Sequence, residues 1–224
     1  MDAARDARIP KIIHYVWVGG KPLTPLAKRC IESWKTYAPE YELRFWSEAN
    51  APMQHPYAKA MYAKKKWAFV SDYVRFWALE REGGIYLDTD MELLKPLDRF
   101  LEDGAFFGRT KDGYVAAGII GTVPQHPIMR AILDFYDTDT QFSIENSSPK
   151  VVTRALDAHP EAEVQVYGSD YFYPCDDGEA CPKSVLAAAY ATHHWAESWV
   201  PFARARKLAR RAGVMPLIKK LAGK

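Results

Sequence analysis

Hydrophobic and polar positions in the first 90 residues alternate between a period of two and a period near 3.6. Lys11-Ile12-Ile13-His14-Tyr15-Val16-Trp17-Val18 is β-branched and aromatic and runs into Gly19-Gly20, which predicts a buried strand closed by a turn. Thr24-Pro25 predicts a helix start, with Thr24 as the cap and Pro25 in the first turn, and the helix should stop before Pro39. Tyr41 to Trp46 alternates again and predicts a second strand. A long helical pattern from Tyr57 to Arg81 follows, with an interruption expected near Phe69, and Gly83-Gly84 ends it. Strands are further expected at Ala105–Gly108, Val115–Thr122 and Val164–Val166, helices at Pro127–Tyr136 and Lys150–Ala158, and a loop from Tyr171 to Pro182. Strands that alternate with helices predict an α/β fold, a mainly parallel central sheet flanked by helices, with ligands at the carboxyl ends of the strands.

One such end carries chemistry. Gly83-Gly84-Ile85-Tyr86-Leu87-Asp88-Thr89-Asp90 places Ile85 and Leu87 toward a core and Asp88 and Asp90, at i and i+2, on the other side. Two neighbouring carboxylates repel, and their burial is costly unless a cation joins them, so the pair suits a divalent metal with oxygen ligands. The continuation Met91-Glu92 lacks the Gly-Thr that follows the acids in haloacid-dehalogenase phosphatases. Glycosidases need carboxylates on either side of a sugar, roughly 5–10 Å apart, which one ridge of a strand does not provide. A metal-held nucleotide diphosphate suits it better than either, and a solvated acidic turn is the plain alternative for the pair taken alone. On the preceding helix Asp72 and Arg75 stand three apart, on one face.

Composition narrows the class further. With 224 residues, 48% apolar and 26% charged, the chain has the make-up of one ordinary globular domain. Seven Trp, thirteen Tyr and ten Phe are many for this length; such an excess is common in sites that stack sugars or bases and more often fills a core. The net charge of +2 is unevenly spread. From Ala203 to Lys224 there are eight basic residues and no acidic one, which leaves residues 1–202 at −6. An acidic body does not fit nucleic-acid binding. The tail, with Leu208, Leu217, Ile218 and Leu221 among its lysines and arginines, suits an anionic membrane surface. Three cysteines without metal-ligand spacing predict reduced thiols, although Cys175 and Cys181 are close enough to pair.

Three separated segments carry a resemblance. They are Ile9-Pro10-Lys11-Ile12-Ile13-His14-Tyr15-Val16-Trp17-Val18-Gly19-Gly20, then Trp67 to Arg75 with the Gly pair and Tyr86-Leu87-Asp88-Thr89-Asp90, then His193-His194-Trp195-Ala196-Glu197-Ser198-Trp199. In this order they resemble the DXD-motif sugar transferases, which include yeast initiation-type mannosyltransferases, bacterial capsular and lipopolysaccharide transferases and, more distantly, clostridial glucosylating toxins. The resemblance implies a GT-A type nucleotide-sugar fold over residues 1–202, with 203–224 as a separate tail.

It also implies a metal-dependent, retaining hexosyl transfer from a nucleotide diphosphate sugar to a glycan or lipid-linked glycan acceptor, in the cytoplasm at the inner face of a membrane. Asp72, Arg75, Asp88 and Asp90 would be catalytic. Val16, Trp17, Tyr86, Ser198 and Trp199 would join Asp72, Arg75 and Asp88 around the donor, Trp17 stacking on the base. Asp88, Asp90 and either His193 or His194 would hold manganese, or magnesium. Ala117-Gly118-Ile119-Ile120-Gly121 departs from the family, where an Asn precedes the Ile-Ile-Gly, so sugar preference stays open. A binding module without catalysis and a metal-dependent phosphohydrolase are the alternatives, and no residue stands out as a covalent nucleophile.

Overall fold

The computed structural model describes residues 8–138, 147–176 and 179–196. Six strands form the main sheet: β1 (Ile12–Val16), β2 (Glu42–Trp46), β3 (Gly84–Leu87), β5 (Ala105–Arg109), β6 (Val115–Thr122) and β7 (Val164–Tyr167). Their order is β2-β1-β3-β6-β5-β7. The β2–β1, β1–β3 and β5–β7 pairs are parallel, and β6 runs antiparallel to both its neighbours. The expected mainly parallel sheet is therefore present, with one reversed strand at its centre.

Period-2 alternation sorts side chains between the two faces. Ile13, Ile85, Leu87, Phe106 and Ile119 meet α1 (Pro25–Tyr37) and Phe172 of the short α6 (Ser169–Phe172) in one core. Tyr86, Phe107 and Ile120 point the other way, to α2 (Pro56–Ala63), α3 (Trp67–Glu82), α4 (Pro127–Thr138) and α5 (Ser148–Ala158). Gly121 lets Phe106 lie flat on β6, since a Cβ there would stand 2.0 Å from the ring.

Helix α1 begins as its sequence predicts, with the Thr24 hydroxyl accepting the Ala27 N–H at 3.1 Å. The long helical pattern breaks at residues 64–66, where Lys65 turns left-handed at φ 56°, and not near Phe69. Phe69 stays helical because it is buried among core residues, so tertiary packing selects the exposed lysine run for the break. Helix α3 ends at Gly83 (φ 62°), whose carbonyl accepts from Nε2 of the buried His14 at 2.9 Å. Nδ1 of the same ring accepts from Trp46 Nε1 at 3.0 Å, which ties β1, β2 and the Gly turn together.

A second, two-stranded sheet was not foreseen. Strand β4 (Met91–Leu93) pairs antiparallel with β8 (Ala191–His193), Met91 opposite His193. Helix α1 fixes β4 in place. Trp34 Nε1 donates to Met91 O at 2.8 Å, and the Ser33 hydroxyl accepts the Leu93 N–H at 2.9 Å. The segment expected to be a loop holds the end of α6 and a disulfide, Cys175–Cys181, with the short helix α7 (Lys183–Ala188) following it. Cys30 is buried and free. The pairing corrects the expected reduced thiols, and stable disulfides belong to oxidising surroundings. No helix among the described residues is long and apolar enough to cross a membrane.

Candidate active site

The site lies where β3 ends. Asp88 and Asp90 are not on the regular strand, which stops at Leu87; they flank a tight turn closed by Met91 N–H to Asp88 O at 2.8 Å. The turn, rather than the pleat, brings the two carboxylates together. Asp88 N–H donates to Gly118 O at 2.8 Å, so the turn is also stitched to β6. Gly118 is tightly fitted: a Cβ would stand 3.2 Å from Asp88 Oδ2 and 3.0 Å from the Tyr173 hydroxyl, so both would have to give way.

Behind Asp88 lies a buried polar network. Arg75, 4% exposed, pairs through Nη2 with Asp72 Oδ1 at 2.9 Å and Asp88 Oδ1 at 3.2 Å. Its Nη1 donates to Ala117 O at 2.6 Å, and the guanidinium lies over the Tyr86 ring at 4.5 Å. The Tyr86 hydroxyl donates to Asp88 Oδ1 at 2.8 Å and contacts Ser71 Oγ at 3.0 Å. Asp72 is itself 7% exposed and accepts the Ser148 N–H at 3.4 Å, which links α3 to the start of α5. Burial works against the Arg75 charge, but Asp88, Tyr86 and Asp72 outweigh it and raise its pKa. Burial raises the Asp72 carboxyl despite Arg75, and it raises the Tyr86 phenol strongly, so Tyr86 stays a donor. Buried guanidinium and carboxylates of this kind are satisfied only as a set, which fixes the Asp88 side chain before any ligand arrives.

In front of the carboxylates stands the end of β8. Nε2 of His193 lies 3.2 Å from Asp90 Oδ1, and the Ala196 N–H donates to Asp90 Oδ2 at 2.8 Å. His194 instead turns to Glu92, Nε2 to Oε2 at 2.6 Å, while its backbone N–H donates to Asp90 O at 3.0 Å. The register thus separates the two candidate histidines, and His193 joins the acidic pair. Burial alone would raise the Asp90 carboxyl, yet His193 and the Ala196 N–H hold it well below the usual range. Burial also opposes the His193 imidazolium, but Asp90 and Asp88 lift its pKa above the ordinary value.

Asp88, Asp90 and His193 each offer one ligand atom, and those atoms lie within 4.8 Å of one another. The second imidazole nitrogen, His193 Nδ1, is buried without a hydrogen-bond partner among the described residues. An acidic pair with an added imidazole and a spare buried donor-acceptor atom fits a divalent cation, and the imidazole favours a manganese-type ion over calcium.

The other expected residues are distributed around this centre. Val16 and Trp17 close β1, the parallel neighbour of β3; Trp17 is half-buried and donates through Nε1 to Lys21 O at 2.6 Å. The Trp17 backbone N–H donates to Trp46 O at the end of β2 at 3.0 Å, and Val16 is buried in the core on the helix-covered face. Ser198, Trp199 and the basic tail lie outside the described residues. Ser71, Gly118 and Tyr173 were missed. Ser71 had a readable signal, being one helical turn before Arg75, whereas the Tyr173 hydroxyl reaches Ile119 N–H across 54 residues at 3.1 Å and left no local trace.

Comparison with known proteins agrees with this geometry. Residues 25–107 match the glycosyltransferase sugar-binding region containing the DXD motif, a span that holds Asp72, Arg75, Asp88 and Asp90. An uncharacterized glycosyltransferase of Acanthamoeba polyphaga mimivirus is 28% identical over 89% of this chain and 87% of its own length. Inositol phosphoceramide mannosyltransferase 3 of Schizosaccharomyces pombe is 27% identical over 58% of this chain, which spans only 37% of that protein.

Among solved structures, the PaToxG glycosyltransferase superposes with a TM-score of 0.56 over 69% of this chain and 70% of its own, at 20% identity. A glycosyltransferase that acts in glycosylation of the major capsid of PBCV-1 superposes with a TM-score of 0.51 over 91% and 100%, at 13% identity. These likenesses show the GT-A fold. The motif match over residues 25–107, the fold and the carboxylate site agree, and the chain is similar to the DXD-motif glycosyltransferases.

Proposed function

We propose that this glycosyltransferase moves a hexose from a nucleotide diphosphate sugar, with retention of anomeric configuration, to a surface polysaccharide or lipid-linked glycan. The observation that carries the reading is the convergence of Asp88, Asp90 and His193 within 4.8 Å, backed by the buried Arg75. A divalent ion held there would set positive charge against the donor diphosphate and its departing charge. Arg75 and Tyr86 orient Asp88 from behind, and Asp72 balances the guanidinium. Asp90 has two roles, as a ligand and as the anchor that draws the His193–Ala196 segment onto the site. Trp17, at the end of the adjacent parallel strand, offers an indole face to the donor base.

The fission yeast relative's name joins a mannosyl group to a ceramide lipid, and a human relative is named for N-acetylglucosamine transfer. A lipid-borne acceptor would accord with a basic tail from residue 203 at an anionic membrane. The test is nucleoside diphosphate release from a panel of UDP- and GDP-sugars, with and without manganese, in the wild type and in Asp90→Ala. Manganese-dependent release from one donor, reduced at least 100-fold in the variant, is expected. Release of inorganic phosphate in place of nucleoside diphosphate would show a phosphohydrolase instead.

A further inference from the structure

A cleft of about 190 Å³ opens beside the cation site, between β4, β8 and the disulfide segment. His193 belongs to both, so the cleft and the cation site share a wall. Its wall carries Glu92, Asp176 and Glu179 together with Trp195 and His194. Glu92 faces His194 at 2.6 Å and Arg29 at 3.7 Å, and Glu179 faces Lys111 at 2.7 Å, so three carboxylates stand against two permanent cations. Both contacts of Glu92 fall on Oε2, which leaves Oε1 as the oxygen an incoming hydroxyl would meet.

Trp195 is held in an unusual way. Its φ is +50°, a left-handed conformation that is strained for a residue with a Cβ. The surroundings over-determine it: its Nε1 donates to Cys175 O at 3.0 Å, and its ring packs edge-on against His193 at 4.3 Å. Strain retained by a disulfide-bonded segment at the edge of an active site is a mark of a positioned functional side chain. The volume also discriminates, because drug-sized ligands fill roughly 300–1,000 Å³. A space of about 190 Å³ is of the size of a single ring.

We propose that this cleft is the acceptor subsite and that it selects an uncharged sugar ring, with the apolar face of the ring on Trp195 and hydroxyls donated to Glu92. The proposal rests on the transferase reading above. Carboxylates accept hydroxyl hydrogens and repel anions, so an acceptor ending in a uronic acid or phosphate is disfavoured.

The test is saturation-transfer NMR on the full chain, with methyl α-D-mannopyranoside, glucopyranoside and galactopyranoside against methyl α-D-glucuronide. Calorimetric titration of UDP and GDP with manganese runs in parallel. In the wild type, at least one neutral glycoside should bind at least 10-fold more tightly than the glucuronide. Trp195→Ala should weaken that glycoside at least 10-fold. Glu92→Gln, which keeps the shape of the wall, should cut the discrimination against glucuronide to under 3-fold. Equal binding of neutral and anionic glycosides, or unchanged affinities in both variants, would overturn the proposal. Absence of nucleotide binding in the wild type would instead strike the donor reading, a signal separate from sugar selectivity.

Discussion

At the scale of single residues, Arg75 decides most. Its guanidinium serves Asp72, Asp88 and Ala117 O at once, a fork that an ammonium cannot reproduce. Arg75→Lys should therefore lower kcat/KM at least 100-fold while the fold survives, measured by donor turnover alongside far-UV circular dichroism. Arg75→Leu leaves buried carboxylates without a partner and should cost about 3–5 kcal/mol in urea unfolding. Asp72 and Arg75 could be read from sequence because their partnership is local, three residues apart on a helix. Their burial could not, since it depends on α5 and β6, which arrive much later in the chain.

His14 shows a different residue-scale consequence. Burial lowers its pKa from 6.5 to about 4, and its two nitrogens, one donating to Gly83 O and one accepting from Trp46, are both satisfied only in the neutral ring. The unfolded chain takes up a proton near pH 6.5 and the folded one resists until about 4, so this contribution is complete above 6.5 and is lost as pH falls across that window. The loss is on the order of 3 kcal/mol. Denaturant midpoints from pH 7 to 4 should fall more steeply in the wild type than in a His14→Asn variant.

At the scale of elements, the β4–β8 ribbon is the part that sequence reading did not reach. Three-residue strands hold less than two periods of alternation, so no pattern marks them. Their stability comes from α1 instead, through Trp34 and Ser33. Trp34→Phe removes the donor to Met91 O but keeps most of the ring volume, and should cost about 1–3 kcal/mol for the buried carbonyl left unpaired. The same variant should raise the manganese requirement of turnover, because Asp90 immediately precedes β4. By contrast, α1, β1, β2 and β6 were legible almost to the residue. Each has either a capping signal or a run long enough to show its period.

At the scale of the whole molecule, alternation of strands and helices predicted the sheet and the edge where ligands gather, and the reversal of β6 was not visible. That reversal matters because β6 presents Ala117 O and Gly118 to the site from the opposite direction. A cation bound only by the native arrangement should stabilise it. Manganese at 100 times its Kd should add about 2.7 kcal/mol, seen as a raised Tm in the wild type and no shift in Asp90→Ala.

His193 stands 103 positions after Asp90, beyond every strand of the main sheet. During synthesis, then, the acidic pair is made long before its imidazole. A nascent chain could complete its six-stranded sheet by Tyr167 and still lack the third ligand. The proposed cation site is therefore assembled only when β8 has emerged and docked on β4.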